Sequence, residues 1–145
     1  MGIFRKAKTN TLTAAEVSAL WLQYLGDSMA ICVYKYFLTI VENEEIKPIL
    51  ESALQLAESH VLKITEFLKD AEFQVPIGFT ESDVNVNAPR LFSDQFFLFY
   101  SYIMTIHGIT AYSLATTNLE RKDLQNYFFE CTTSSKELFQ RIAEL

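Results

Sequence analysis

QFFLFYSYIMTIHGITAYSLATTNL, residues 95–119, contains no Asp, Glu, Lys or Arg. About 25 residues suffice to cross a bilayer as a helix, so the run must be a membrane span, a buried helix or an interface. Its interior argues against a span, because Ser101, Thr105, His107, Thr110 and Asn118 would each need a partner in hydrocarbon. The flanks are mixed in sign, with Arg90 and Asp94 before and Glu120, Arg121 and Lys122 after, so neither end is marked as cytoplasmic. The run is therefore expected to be the most buried helix of a soluble bundle, with no membrane partner.

Composition supports long elements. Half of the 145 residues are apolar and only four are Gly and three Pro, which leaves few turn signals. A chain of this length fits one domain that buries roughly two-thirds of its unfolded surface. A formal charge of −6 leaves no basic stripe to replace phosphate counterions, so no nucleic-acid partner is expected. Arg5, Lys6 and Lys8 read as a flexible basic leader over residues 1–10, without the apolar core of a secretory signal. Lys6 also stands where a myristoylation motif needs Ser or Thr. Cys32 and Cys131 fall within helical apolar patterns and read as buried free thiols, so a reducing, cytoplasmic setting is expected.

Four helices are legible, over about 14–42, 46–70, 94–117 and 121–144. Thr13-Ala-Ala-Glu16 is a capping box that opens the first. Pro48 fits the first turn of the second, where its missing N–H costs nothing. That helix repeats Ile46, Ile49, Leu50, Ala53, Ala57, Val61, Ile64, Phe67 and Leu68 at helical spacing. Ser93 or Asp94 can cap the third, and the fourth carries Leu124, Phe128, Cys131, Leu138, Ile142 and Leu145 on one stripe.

Tight turns near 43–46 and 118–121 make two antiparallel hairpins. Between them lies a segment of about 20 residues, long for a loop in a compact domain. Fully extended it reaches roughly 65 Å, whereas a 25-residue helix is about 37 Å long. It can therefore run the length of the bundle and let the third helix start where the second started. That is an all-α, ferritin-like four-helix bundle, two hairpins joined by one long crossover. Phe73, Val75, Ile77, Phe79, Val84 and Val86 are expected to pin the crossover in place.

Asp27-Ser-Met-Ala-Ile-Cys-Val-Tyr-Lys-Tyr-Phe-Leu38 and Gly78-Phe-Thr-Glu-Ser-Asp-Val-Asn-Val-Asn-Ala-Pro-Arg-Leu-Phe-Ser-Asp94 resemble signature segments of one bacterial family. It is a domain of unknown function of endospore formers, with some members described as "putative spore coat protein". The similarity spans roughly residues 11 to 145. It implies a ferritin-like fold and a spore setting, and brings no established activity. Members often carry two tandem copies of the unit; this chain has one.

A ferritin-like bundle raises the question of a di-iron site, which takes Glu from two helices and Glu-x-x-His from the other two. Ala57 stands three residues before His60, and Met104 three before His107. Glu58 and Glu130 fall on polar faces, and the third helix has no carboxylate. An ordinary di-iron site is excluded. A sparser set remains: His60 on the stripe Ala53, Ala57, Ile64, Phe67; His107 on the stripe Tyr100, Ile103, Ala111, Leu114; and Asp27 between Tyr24 and Ile31. Two imidazoles and a carboxylate at mid-bundle height could hold Zn²⁺ or Fe²⁺ with water completing the shell. The competing reading, favoured here, is that these are core polar groups bonded to one another or to hydroxyls, with no cofactor. Asp83-x-Asn85-x-Asn87 imitates a calcium loop, but Ala88 occupies the position that needs Gly. Asx turns explain these residues better.

Two helices are apolar nearly all round, the third and the first from Met29 to Val41, which exceeds what one four-helix core uses. The surplus points to a second packing surface, and a homodimer or larger assembly is its simplest use. The function expected from sequence is thus a non-catalytic structural or interaction bundle, spore-associated, with a metal-binding or redox protein at Asp27, His60 and His107 as the alternative.

Overall fold

The structure is a computed structural model that describes residues 11–145; the expected leader, residues 1–10, lies outside the described residues. Four helices form it: α1 (Ala14–Ile40), α2 (Lys47–Asp70), α3 (Asp94–Thr116) and α4 (Lys122–Ala143). A single 3-10 turn occupies Glu81–Asp83, and there is no strand among the described residues.

Each helix end has a local cause. Thr13 Oγ1 accepts from the Glu16 N–H at 3.1 Å and Glu16 Oε1 accepts from the Thr13 N–H at 2.8 Å, so the capping box forms. Helix α1 stops at Ile40, short of the expected end near 42, because Val41 turns away at φ −58° and ψ 134°. The Asp94 carboxylate, brought from the other hairpin, then takes the N–H groups of Glu42 and Asn43 at 3.1 and 2.8 Å. Asn43 Oδ1 accepts from the Glu45 and Ile46 N–H groups and turns the chain into α2. Ser93 Oγ accepts from the Phe96 N–H and caps α3. At α4, the N-cap residue Arg121 makes no side-chain cap. Glu16 of α1 reaches across instead, and its Oε2 accepts from the N–H groups of Glu120 (3.0 Å) and Arg121 (2.8 Å).

Two buried clusters set the directions. At one end Leu20 of α1 meets Ile64 and Leu68 of α2 and Leu124 and Phe128 of α4. At the other, Tyr34 and Phe37 of α1 meet Ile49 and Leu50 of α2, Phe97 of α3 and Leu138 and Ile142 of α4. The two helices of each hairpin are antiparallel, and α3 starts at the end where α2 starts. Burying each of these side chains contributes about 1.5–3 kcal/mol.

The connection from α2 to α3 therefore runs the length of the bundle, and it does so along α1. Trp21 Nε1–H donates to the Gln74 carbonyl, the Phe79 N–H to Ser28 Oγ, the Cys32 thiol to the Thr80 carbonyl and the Thr39 hydroxyl to the Val86 carbonyl. Tyr36 donates to the Pro89 carbonyl at 2.7 Å, and Arg90 to the Ile40 carbonyl. The Asx turn is present, with Asn85 Oδ1 accepting from the Asn87 N–H. Gly78 lies so close to α1 that a Cβ there would stand 2.7 Å from a Tyr24 ring carbon and 2.9 Å from Ser28 Oγ.

Three expectations need correction. Phe73, Ile77 and Phe79 do not pin the crossover: all three are exposed, Ile77 by 93 %. Val75 and Val84 do pack against the two core clusters, and hydrogen bonds with α1 hold the crossover between them. Cys32 is only partly buried, since it faces the crossover and not the core. Finally, α3 is not the most buried helix. Its buried positions are Phe97, Ser101, Thr105 and Thr116, while Phe96, Phe99, Ile103, Met104 and Leu114 are exposed. The bundle buries one side of a helix that is apolar on all sides. It chooses the side with small hydroxyl residues, which admit close neighbours and bond their own helix: Ser101 to the Phe97 carbonyl, Thr105 to Tyr102 and Thr116 to Tyr112.

Candidate functional site

Between the two clusters the bundle is not filled. Small residues on three helices face one another there: Gly26 and Ala30 of α1, Ala53 and Ala57 of α2, and Gly108, Ala111 and Ala115 of α3. Because α1 and α3 touch little, the gap becomes a cavity of about 330 Å³ that opens to solvent between those two helices. Leu22 and Met104, both exposed, flank its mouth.

Polar side chains project into this otherwise apolar space. Gln23 and Asp27 lie one turn apart on α1, and His60 comes from the middle of α2. Asp27 Oδ2 stands 3.2 Å from His60 Nδ1. Both are largely withdrawn from water, with side-chain exposures of 14 % and 6 %. The rings of Tyr112 (α3) and Tyr127 (α4) meet the His60 imidazole edge-on, at 5.9 and 6.2 Å between centroids. Gln23 Nε2 donates to the Cys131 thiol at 3.5 Å. Gln23 Oε1 and the Tyr127 hydroxyl are buried without a hydrogen-bond partner.

The electrostatics follow from burial and pairing. Burial alone pushes the His60 pKa down, but the hydrogen bond and charge of Asp27, together with Cys131 beside it, bring it up to about 9. Burial also pushes the Asp27 carboxyl up, against the pull of His60. The pair thus holds one proton between Nδ1 and Oδ2 and carries no net charge near neutral pH. An imidazole that stays protonated at pH 7 is a poor general base there. Tyr112 and Tyr127 are pushed up by burial and remain phenols. Cys131 is only 2 % exposed and is not on the cavity wall, so it packs and does not act as a nucleophile.

Of the three residues picked from sequence, the structure brings Asp27 and His60 into contact and leaves His107 apart. The stripe Tyr100, Ile103, His107, Ala111, Leu114 was expected to face inward. Tyr100 does pack inward, edge-on against Tyr34 and Phe37, but the rest of the stripe lies on the solvent side or the rim, with Ile103, Leu114, Ala111 and His107 exposed. His107 touches the cavity only at its edge. Among the described residues no three His, Cys, Asp or Glu side chains gather as a ligand set. Glu58 and Glu130 are exposed. Sequence reasoning missed Gln23 and the cavity. The available signal was the small residues on facing helices, Gly26/Ala30, Ala53/Ala57 and Gly108/Ala111/Ala115, each at helical spacing.

The architecture has a solved counterpart. A crystal structure of a "putative spore coat protein" from Bacillus halodurans C-125 superposes with a TM-score of 0.82 at 17 % identity, covering 92 % of this chain and 87 % of that one. At that identity the likeness shows the fold. No curated protein matches the chain. A family model described as "Protein of unknown function (DUF3231)" matches residues 2–145, and the chain belongs to that family.

Proposed function

We propose that the protein is a ferritin-like, non-catalytic bundle that works by assembling with a second copy of itself, in a spore-associated setting. The observation that carries this reading is the exposed face of α3, where Phe96, Phe99, Ile103 and Leu114 follow one another at helical spacing. A patch of that kind on a monomer marks an interaction surface. The lack of charge on this face permits self-association there. A chain with a formal charge of −6 repels its own copies over most of its surface. Across a two-fold axis each residue meets the same patch on its mate, so a face built on a helix with no charge after Asp94 brings no like charges together. The fold shared with the Bacillus halodurans protein supports the spore setting. No helix among the described residues is long and apolar enough to cross a membrane.

Sedimentation equilibrium tests the proposal. The wild-type protein is expected to be a dimer or larger at micromolar concentration, and Ile103→Glu with Leu114→Glu to be a folded monomer. A monodisperse wild-type monomer refutes it. The metal-binding alternative rests on the Asp27–His60 contact and on His107 at the rim of the same cavity. It ranks second because these residues do not converge. Stoichiometric Zn or Fe in protein purified from metal-replete cells, lost in His60→Ala, would reverse that order.

A further inference from the structure

We propose that the cavity between α1 and α3 binds a small organic ammonium ion on a mainly apolar body. The head lies on Asp27, and the ion enters in exchange for one proton of His60.

The mouth of the space is kept open. Gly26 shares the cavity stripe of α1 with Gln23, Asp27, Ala30 and Tyr34. A Cβ on Gly26 would meet nothing within 4 Å, so no neighbour demands a glycine there. Glycine inside a helix is destabilising relative to Ala, and what a side chain at this position would take up is the opening. The space of about 330 Å³ is walled chiefly by Ala, Gly, Leu and aromatic residues. Apolar cavities of roughly 150 Å³ hold benzene, so this one has room for a ring and a short chain.

The head group follows from the polar atoms that remain open. Gln23 Oε1 and the Tyr127 hydroxyl are not among them, because both are sealed from water. Asp27 Oδ2 is taken by His60 Nδ1 at 3.2 Å, whereas Oδ1 has no partner and is not sealed. Ser135 of α4 lines the cavity at 4 % exposure, and its hydroxyl likewise has no partner and is not sealed. Tyr112 stands between the two. Its phenol, pushed up by burial, is raised further by the Asp27 charge, and its hydroxyl lies beside the Gln23 side chain. Its ring and Ser135 Oγ both come within 3.7 Å of the point where Gly108 would carry a Cβ. The other wall hydroxyls are committed, Tyr34 to Ser101 Oγ and Thr105 to the Tyr102 carbonyl. Asp27 Oδ1 and the oxygens of Ser135 and Tyr112 are thus three acceptors facing one space, and an ammonium has three N–H donors.

Charge balance fixes the exchange. The Asp27–His60 pair is neutral as a whole, a carboxylate beside a protonated imidazole. An ammonium that simply joined it would be an uncompensated buried charge. Release of one His60 proton to solvent removes that excess, and the site stays neutral. Nδ1–H still donates to Oδ2, because a neutral imidazole keeps one N–H; the proton that leaves is the one on Nε2. Of the other titratable groups around the pair, Tyr112 and Tyr127 stay phenols, and Cys131 packs beside His60. An anion finds no Lys or Arg on the wall among the described residues, and His107 reaches only the rim. The formal charge of −6 draws cations to the chain.

Calorimetric titration of the purified chain, with chelator present, tests this with 3-phenylpropylamine, 3-phenylpropanol and 3-phenylpropanoate. The amine stays charged to pH 9, as a lysine side chain does. It is expected to bind once per chain and to release close to one proton at pH 7, read from the heats in buffers of different ionisation enthalpy. Its affinity should rise about tenfold from pH 7 to pH 8 and level off above pH 9, where the free chain has already lost the His60 proton. At pH 8 it should bind about tenfold more tightly than the alcohol, the surplus of a charge-assisted hydrogen bond over a neutral one. Asp27→Asn should lose the amine and the proton release. Gly26→Trp should admit none of the probes, with helix content and melting not reduced. The proposal is overturned if the amine does not saturate, if it binds without proton release, or if the alcohol or the carboxylate binds more tightly at pH 8. It is equally overturned if Asp27→Asn or Gly26→Trp binds the amine as the wild-type chain does. Should Asp27→Asn fail to fold, the proton count and the probe series on the wild-type chain decide.

Discussion

Asp27→Asn removes the charge that keeps His60 protonated while preserving shape, and its cost should depend on pH in a specified way. With Asp27 in place, the His60 pKa of about 9 lies above its ordinary 6.5. A raised histidine pKa contributes stability that is fully present below the unfolded value and is lost as pH rises through the folded one. The gap corresponds to about 3 kcal/mol at pH 6, shrinking to about 1 kcal/mol at pH 8 and to almost nothing at pH 10. The raised Asp27 carboxyl opposes this, so the pH 6 figure is an upper value. In Asp27→Asn the amide oxygen can still accept from a neutral imidazole N–H, but no charge holds the proton. The groups around His60 on α3 and α4 are Tyr112 and Tyr127, phenols throughout this range, and Cys131, whose share in raising the His60 pKa survives in Asp27→Asn and keeps the loss below the full gap. Urea unfolding of both chains at pH 6, 8 and 10 measures the difference. A loss of about 2–3 kcal/mol at pH 6 that fades towards pH 10 is expected. A loss that is the same at all three values, or absent at pH 6, would show that no charged pair exists and would refute the reasoning.

Glu16→Ala should cost about 2–4 kcal/mol by urea unfolding, because one buried carboxylate serves the N–H groups of Thr13, Glu120 and Arg121. Those bonds outweigh burial and hold the Glu16 pKa below 4.5, so its contribution is present above that value and is lost as pH falls below it; a wild-type chain with no acid-side loss near pH 4 that Glu16→Ala abolishes would contradict this. Gly78→Ala should destabilise by about 1–3 kcal/mol, since Tyr24 and Ser28 must move to admit a methyl group. Faster hydrogen exchange of the Phe79 N–H is the expected accompaniment, and unchanged exchange would dissociate the glycine from the crossover's attachment.

The helical order of the molecule is legible residue by residue. Thr13 and Glu16, Pro48, and Ser93 mark helix starts through the shortage of N–H partners in any first turn, a local requirement that neighbours cannot change. The apolar stripes of α2 and α4 are narrow, so Ile49, Leu50, Ala53, Ile64, Leu68, Leu124, Phe128 and Leu138 could be placed in the core from spacing alone. His60 went with them correctly.

Helix α3 shows where that reasoning ends. An apolar residue at nearly every position carries no directional information, so periodicity could not tell Ser101 and Thr105, which face the core, from Ile103 and His107, which do not. Burial there is decided by how closely a neighbouring helix can approach, and that depends on residues far away in the chain. The same holds for Glu16, whose second oxygen caps a helix more than a hundred residues later, and for Gln23, which finds Cys131 and the cavity only once α1 lies against α4. The sequence by itself determined that there are four helices, where they begin and that a long segment must cross the bundle, because caps and chain length act locally. Which side of α3 is hidden, that Asp27 meets His60 while His107 stays outside, and that a cavity remains between α1 and α3 were decided by tertiary packing, because each depends on the distance between helices that no local rule specifies.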